Sequence, residues 1–360
     1  MRVKATASAG RYGASMISST SLRIASAAFA VVLAAPLAAD PGTRWRAAWA
    51  NDMFAGSDNQ FTNGVSLQAH SPLADTLTAT GGTPAFGKSL LGWLLPERDG
   101  LRYRESWTLG HTMQTPDRLQ VEELILDDVP YVGLLGWANS FVALDDRELA
   151  GVGTLFGWVG DATLAEPLQS AAHELSGANE PLGWDNQLAN EPIVNLYAVY
   201  KRKFVRTEVF DAAWSIDAGL GNAVTYGQAG VELRFGDRPQ GFALAPTRVG
   251  ADFDYDGRIP SGNAEHLYVT VAARAAGFLH DIHRDGNLLR DDDWTDNNVL
   301  EPDDVIGQLA FGLHYERPTW GLHFDAVLST DSTDVRGPTG LEDPRNHFAV
   351  VSLEWVPGGR

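Results

Sequence analysis

Long segments in which apolar side chains alternate with polar or small ones recur along most of this chain. In 265–273, Leu267, Val269 and Val271 share one face of an extended strand, and the last segment, 346–355, repeats the pattern. These segments run for about 9 to 13 residues, whereas strands in soluble proteins average about five or six. A tilted strand needs about 9 to 11 residues to cross a bilayer, and a closed barrel leaves no unpaired edge in hydrocarbon. The pattern therefore predicts an outer-membrane β-barrel.

Counting the alternating segments predicts the architecture. There are twelve of them, at 44–52, 62–72, 102–114, 131–144, 147–158, 191–204, 208–219, 226–236, 265–279, 304–316, 319–330 and 346–355. The predicted fold class is all-β, a twelve-stranded antiparallel transmembrane β-barrel with a short helix in an extracellular loop. An even number of strands leaves both termini in the periplasm. The connections after the first, third and fifth strands then all lie at the outer rim.

Two connections, 73–101 and 237–264, are longer than this arrangement expects, because periplasmic turns are usually short. Either they fold over the mouth of the barrel, or the count is wrong by one pair of strands. No internal repeat or linker divides the chain after residue 39. Residues 40–360 are therefore predicted to form one outer-membrane barrel domain.

The first 39 residues differ from the rest. They contain four basic residues and no acidic one, and they end in the apolar run 24–39. A basic start, a short apolar core and small residues at its end predict a secretory signal peptide, removed near Ala39. The alternative is a transmembrane anchor, although the run is short for a span. No later apolar run approaches the ~18 to 20 residues of a membrane helix, which excludes a helical membrane protein.

The net charge of the chain limits the classes of partner that it can bind. It has 46 acidic and 27 basic residues, for a net charge of −19. Such a chain repels nucleic-acid phosphates, so no nucleic-acid partner is expected. Its carboxylates suit divalent cations and the surfaces that cations bridge. The chain has no cysteine, so disulfides do not stabilise it. The sequence leaves the oligomeric state open, with a monomer favoured.

The stretch 51–64, NDMFAGSDNQFTNG, follows the first strand and is longer and more polar than a hairpin turn requires. Asp52 and Asp58 supply hard oxygen ligands. Amide, hydroxyl and backbone oxygens can complete the shell of about six to eight oxygens that Ca²⁺ prefers. The EF-hand order of ligands is absent, so a calcium site here would be assembled from separate segments. The alternative is a solvated polar loop.

The segment 164–175 is the clearest helical candidate after the signal peptide. Gln169 and His173 are four residues apart, so they lie on one face of that helix. A helix is unusual inside a barrel loop, which favours a functional role for Gln169 and His173. The alternative is a helical plug with a solvated Gln and His. Neither a G-x-S-x-G nucleophile elbow nor an H-E-x-x-H zinc motif occurs in the chain.

Several short motifs follow one another in a fixed order along the mature chain. They are NDMF and SDNQFTNG within 51–64, QTP at 114–116, DDVPYVG at 127–133, GWVG at 157–160, QSAAH at 169–173, GWDNQLANEP at 183–192 and DGN at 285–287. Together they resemble the pattern of the outer-membrane lipid A deacylases, the lipid A 3′-O-deacylase family. The resemblance covers nearly the whole mature chain.

This resemblance implies a twelve-stranded barrel that hydrolyses an acyl ester of lipid A, in lipopolysaccharide, with Ca²⁺ as cofactor at the outer rim. The family's catalytic Asn-Asp pair falls on Asn51 and Asp52, its Thr on Thr62, and its helical Gln and His on Gln169 and His173. The expected location is the outer membrane of a Gram-negative bacterium, with the active site facing outward.

The family pattern is not matched everywhere. The family can carry a catalytic lysine after the Thr-Pro, where this chain has Arg118 and no lysine nearby. Some members have an acid shortly after the histidine helix, where this chain has Asn179 followed by Glu180. Both departures leave the corresponding roles open.

The residues support a hydrolytic mechanism. His173 would act as general base on a water molecule, and Asp52 would bind Ca²⁺, which would polarise the ester carbonyl. Asn51, Thr62 and Gln169 would orient water, substrate and imidazole. Thr62 as a nucleophile activated by His173 is an open alternative. The rival functions are a phospholipase-type barrel and a non-catalytic porin-like or adhesion barrel.

Overall fold

The computed structural model describes residues 42–52, 61–176, 178–243, 254–260, 264–335 and 345–358. Within the helices and strands, the side chains of residues 61, 62, 85, 86, 89, 175 and 176 are not described. The predicted signal peptide, 1–39, and the predicted calcium ligand Asp58 lie outside the described residues.

Twelve long antiparallel strands close into a barrel, as the alternation predicted. The strands of the described residues are β1 (Arg44–Asn51), β2 (Phe61–His70), β3 (Arg102–Gln114), β4 (Val132–Leu144), β5 (Glu148–Val159), β6 (Glu191–Arg206), β7 (Phe210–Gly221), β8 (Val224–Asp237), β9 (Gln240–Gly241), β10 (Arg258–Ile259), β11 (His266–Asp281), β12 (Leu300–Pro302), β13 (Val305–Glu316), β14 (Trp320–Ser329), β15 (Thr333–Val335) and β16 (Phe348–Trp355). The short strands β9, β10, β12 and β15 form two small hairpin-like sheets, and the other twelve form the barrel. β1 pairs with β16 and closes the wall.

The two faces of the wall meet different surroundings. On β13, Leu309, Phe311 and Leu313 point outward and are exposed, whereas His314 is fully buried inside the barrel. This alternation is what a wall between hydrocarbon and a polar lumen requires. The first residues of β1 pair with the last residues of β16, so both ends of the barrel domain lie at the same rim, the periplasmic one.

One of the two long connections folds into the periplasmic mouth of the barrel. Arg258 is buried there and contacts three carboxylates, with its Nε 2.8 Å from Asp256, its Nη1 2.9 Å from Glu316 and its Nη2 2.5 Å from Glu354. Arg104 donates to the backbone oxygens of Asp256 and Arg258, at 2.9 Å each. The barrel has the predicted twelve strands, and the extra length of this connection lies in its periplasmic mouth.

The other long connection does not cover the mouth. It contains the helix α1 (Ala85–Gly92), and it packs against the outward face of the wall near the periplasmic rim. Leu95 and Leu101 of this connection are buried against the outward-facing Tyr103 and Phe141. This placement was not among the predicted ones.

The outer loops pack on one another at the opposite rim. The β5–β6 loop contains the helix α2 (Ala165–Ser176), which confirms the predicted helix in an extracellular loop. Further along are the short helices α3 (Ile282–Asp285) and α4 (Asp293–Asn297). The β3–β4 and β5–β6 loops are joined by a bond from the Leu182 amide to the Leu119 carbonyl, 2.9 Å long. No helix among the described residues is long and apolar enough to span a membrane.

Candidate active site

The first part of the candidate site is the outer end of β1. Asn51 is the last residue of this strand, and Asp52 follows it with only 5% of its surface exposed. Trp49, two residues earlier, is exposed on the outward face, and its indole nitrogen donates to Asn63 Oδ1 at 2.7 Å. Since side chains alternate along a strand, Asn51 shares this outward face. The predicted Asn-Asp pair thus lies at the outer rim.

Thr62 lies where the pairing of β2 with β3 is irregular. Phe61 is opposite Gln114 and Asn63 is opposite Met113, so the register shifts between Phe61 and Asn63. A bulge of this kind bends the strand and re-aims a side chain, and bulges are frequent next to active sites. Thr62 thus lies at such an irregularity, and its catalytic role stays a prediction.

The helix α2 docks on the outward side of the same rim. Gly133 of β4 permits the approach, because a Cβ atom at this position would lie 2.2 Å from Thr163 Oγ1 and 2.5 Å from the Ala165 Cβ. Ala165 then packs in a buried cluster with Met113, Tyr131 and Trp184. The chain turns into the helix through Leu164, which has a left-handed φ of 62°. These contacts fix where the helix starts.

Gln169, one turn into α2, is 97% buried, with 3% of its surface exposed. Its side-chain oxygen accepts a 2.7 Å hydrogen bond from the Trp184 indole nitrogen. An indole N–H can only donate, so the orientation of the Gln169 amide is determined. Its nitrogen points the other way and has no hydrogen-bond partner among the described residues. A buried amide N–H without a partner is costly and is suited to donate to a ligand.

His173 follows one turn after Gln169 and is partly exposed. Its Nδ1 is hydrogen-bonded to the backbone oxygen of Asn179. Because a carbonyl oxygen only accepts, this bond places the ring proton on Nδ1. The neutral imidazole therefore carries its lone pair on Nε2, the nitrogen that a general base would use.

The order of strands brings these groups to one region. The barrel runs β1-β2-β3-β4, and α2 starts over Met113 of β3 and Gly133 of β4. Only β2 lies between β1 and β3, so the axes of β1 and β3 are about 10 Å apart. Asn51, Asp52 and α2 thus share the outer rim, and α2 lies on the outward face of the wall.

Two residues that the sequence left open have partners in the loops. Arg118, at the place of the family's lysine, forms ion pairs with Asp127 and, at 3.9 Å, with Asp128. Burial raises the pKa of Asp128 to about 6, against the opposing effect of hydrogen bonds from the Val129 and Asp117 amides. Asn179 contacts the histidine through its backbone, because its carbonyl oxygen is hydrogen-bonded to His173 Nδ1. Arg118 therefore serves the loop's own ion pairs.

Sequence reasoning missed the residue that positions Gln169. Trp184 orients Gln169, and its only signal was its place in the GWDNQLANEP motif. His111 lies outward on β3, where its Nε2 is 3.1 Å from the Thr163 carbonyl oxygen. It thereby contacts the turn that leads into α2.

The lumen contains a separate cavity of about 120 Å³. Lys201 and Glu232 line it and form an ion pair of 2.8 Å. Of the predicted site residues whose side chains the structure describes, none lines this cavity. Among the described residues, no group of three or more His, Cys, Asp or Glu side chains could hold a metal ion.

Comparison with known proteins identifies the family. A profile of the outer membrane protein LpxR family matches residues 22–352. The solved structure of LpxR from Salmonella typhimurium aligns with a TM-score of 0.66 and 13% identity, covering 87% of this chain and 99% of that one. The β domain of the Bordetella autotransporter BrkA aligns with a TM-score of only 0.44 and 10% identity, over 88% of this chain and 100% of that one. No curated protein sequence matches the chain. The family match spans most of the sequence, so the chain belongs to the LpxR family of outer membrane proteins.

Proposed function

We propose that this barrel is an outer-membrane lipid A deacylase, which removes an ester-linked acyl chain from the lipid A of lipopolysaccharide by hydrolysis. Membership in the LpxR family supports the activity. The observation that carries the proposal is the pair Gln169 and His173. Trp184 fixes the Gln169 amide with its nitrogen pointing away from that bond, and the bond to the Asn179 carbonyl puts the lone pair of the neutral His173 imidazole on Nε2. A base and an oxyanion donor are the two groups that ester hydrolysis needs most.

In the proposed reaction, His173 Nε2 takes a proton from a water molecule as the water oxygen attacks the ester carbonyl. The carbonyl oxygen becomes negatively charged, and the Gln169 amide nitrogen donates to it. The bond between the acyl carbon and the sugar oxygen then breaks, and the imidazolium returns its proton to the leaving sugar alkoxide. The products are a free fatty acid and a lipid A hydroxyl group. Thr62 as an acyl-accepting nucleophile stays an alternative.

Calcium fits the donors at the end of β1. Asp52 offers a buried carboxylate and Asn51 an amide oxygen, and both are hard oxygen ligands of the kind that Ca²⁺ prefers. Asp52 and Asn51 would hold the ion, with backbone oxygens, waters and the predicted ligand Asp58 completing the shell. When bound, Ca²⁺ would supply a positive charge that polarises the ester carbonyl. A single described carboxylate would make the site weak, so activation is expected to need a high concentration of Ca²⁺.

The position of the site suits a lipid substrate. Trp49 and Trp158 are exposed on the outward face near the outer rim, where aromatic side chains meet the membrane interface. An acyl chain lying along the wall would present its ester at the level of α2. This arrangement supports a substrate in the outer leaflet, reached from the lipid side, and gives no role to the lumen.

The test compares substrates. Purified protein in detergent is incubated with lipopolysaccharide or with phospholipid, and the products are analysed by mass spectrometry. We expect lipid A to lose the mass of one acyl chain and phospholipid to stay intact, and we expect His173→Ala to abolish the loss. Acyl release from phospholipid alone would favour the phospholipase-type barrel. Ion conductance in planar bilayers without any acyl release would favour the porin-like barrel.

A further inference from the structure

The connection between β2 and β3 contains a stretch, 77–95, that lies on the outside of the barrel; we call it the wall segment. Its Leu95 is buried against Tyr103, Phe141 and Val152. Arg104 points into the mouth of the barrel, so its neighbours Tyr103 and Glu105 face outward. Glu105 pairs with Phe141, and Phe141 pairs with Val152, so these two residues face outward as well. The wall segment therefore covers part of the barrel surface that on other strands faces lipid.

A carboxylate in the wall holds this segment in place. Glu105 is on the outward face of β3, yet only 1% of its surface is exposed. The Thr83 amide donates to it at 2.8 Å, and Lys88 Nζ of α1 lies 3.5 Å from it. Asn139 of β4 donates to it at 3.4 Å. A carboxylate left bare in hydrocarbon is strongly unfavourable, so the wall segment supplies the partners that this position needs.

Both ends of the connection are tied at the periplasmic rim. At its start, Arg102 Nε is 3.1 Å from Asp75. At its end, Arg98 forms ion pairs of 3.4 Å with Asp145 and 3.0 Å with Glu148, at the turn between β4 and β5. Charged groups of this kind belong in water or among headgroups. The segment between them is thus placed at the inner interface of the membrane.

The side of the wall segment that faces away from the barrel is apolar. Leu90 is 70% exposed, Trp93 is 76% exposed and Leu94 is 49% exposed. The barrel face that the wall segment covers at Val152 continues onto β6, where Val152 pairs with Ala198 and where Leu196 and Phe204 are exposed on the same face, the lipid-facing band. Three large apolar side chains at a membrane interface are characteristic of segments that lie in the plane of a bilayer.

We propose that the wall segment is an interfacial anchor, whose Leu90, Trp93 and Leu94 insert among the acyl chains of phospholipids in the inner leaflet. Continuity with the lipid-facing band is the reason for choosing phospholipid as the partner. The anchor fixes the depth of the barrel from the periplasmic side, at the end opposite the candidate active site. It works independently of any reaction at the outer rim.

The absence of cysteine from the chain makes a site-directed test direct. Leu90→Cys and Trp93→Cys are each spin-labelled in the full-length barrel, reconstituted in phosphatidylcholine vesicles and probed by power saturation with oxygen and with a nickel chelate. Leu309→Cys, exposed on β13, is the reference for lipid. Asp99→Cys, exposed beyond the wall segment, is the reference for water. All four positions are on the surface, so the substitutions leave the barrel folded, which heat-modifiable mobility checks.

We expect the ratio of oxygen to nickel accessibility at Leu90→Cys and Trp93→Cys to be well above that at Asp99→Cys and at or below that at Leu309→Cys, which lies deeper in the wall. Nickel accessibility equal to that of Asp99→Cys at both positions would overturn the proposal, because the segment would then face water. Shielding from both reagents, with spin–spin broadening between labels, would also overturn it, because a second copy of the chain would then be the partner.

Discussion

The hydrogen bond from Trp184 to Gln169 should control catalysis, and Trp184→Phe removes it while keeping an aromatic ring. The bond is 2.7 Å long and both groups are buried. Its loss frees the Gln169 amide, and a misdirected amide loses about 1 to 3 kcal/mol of hydrogen bonding to the charged oxyanion. The amide can then rotate, and its nitrogen no longer points consistently at the oxyanion. Because about 1.4 kcal/mol corresponds to a tenfold change in rate, we expect kcat to fall roughly 5- to 150-fold.

The assay is the initial rate of acyl release from lipopolysaccharide, followed by mass spectrometry over a range of substrate concentrations. KM should change little, because the lost interaction acts mainly in the transition state. The matched control is Tyr131→Phe, which removes a hydroxyl that donates to the Leu119 carbonyl at 3.2 Å. Its ring, 4.9 Å from that of Trp184, keeps the packing. This control should stay close to wild type.

A double-mutant cycle separates positioning from general damage. Gln169→Leu and Trp184→Phe should not add in the double variant, since both act through the same hydrogen bond. A Trp184→Phe enzyme as active as Tyr131→Phe would show that this hydrogen bond does not position the amide. Fully additive losses would show the same and would assign Trp184 only to the packing of the loop.

Three further predictions concern the base, the metal and the loop. His173→Ala should lower kcat by roughly 10²- to 10⁴-fold with little change in substrate binding, and near-normal turnover would show that α2 is only a plug. Asp52→Asn should abolish the stimulation by Ca²⁺ with the barrel still heat-modifiable, and full activity of wild type in excess EDTA would exclude the metal. The carboxyl carbon of Asp128 should titrate by NMR near pH 6, since burial raises the pKa of this group to about 6. The protonated form is then favoured by folding, so this stabilisation is complete below about pH 4 and is lost as the pH rises through 6, a dependence that Asp128→Asn should remove.

The barrel could be predicted from the sequence because lipid and lumen impose opposite demands on neighbouring residues. The strand predicted at 191–204 spans Glu191–Arg206, and the one predicted at 304–316 spans Val305–Glu316. Differences of one or two residues remain at the ends. Alternation shows which side of the wall a residue faces. Where a strand ends depends instead on how far the neighbouring strand pairs with it.

The two long connections could not be placed from the sequence. Arg258 meets Glu316 and Glu354, which are far from it in the chain. Glu105 is paired with Lys88 across the outward face of the wall. Arg258 and Glu105 are charged, so the sequence alone predicts that each is exposed to solvent. Their burial follows from tertiary contacts that no local pattern contains.

The candidate site was predictable in part. The four-residue spacing of Gln169 and His173 indicated a shared helical face, and α2 has that helix. The Trp184 and Asn179 contacts that set the hydrogen-bonding state of the two side chains join separate parts of the loop, so spacing could not reveal them. The roles of Thr62 and Asp58 stay predictions.

Hydrolysis of a lipid A acyl ester at the outer rim of this barrel should depend on both His173 and Ca²⁺. Purified wild-type protein and His173→Ala, equal in heat-modifiable mobility, are incubated with lipopolysaccharide in Ca²⁺, in EDTA, and in EDTA followed by excess Ca²⁺. We expect the mass of lipid A to fall by one acyl chain, with release of the matching free fatty acid, only for wild type in Ca²⁺ and after Ca²⁺ is restored. Unchanged lipid A in every sample of folded wild-type protein would contradict this expectation.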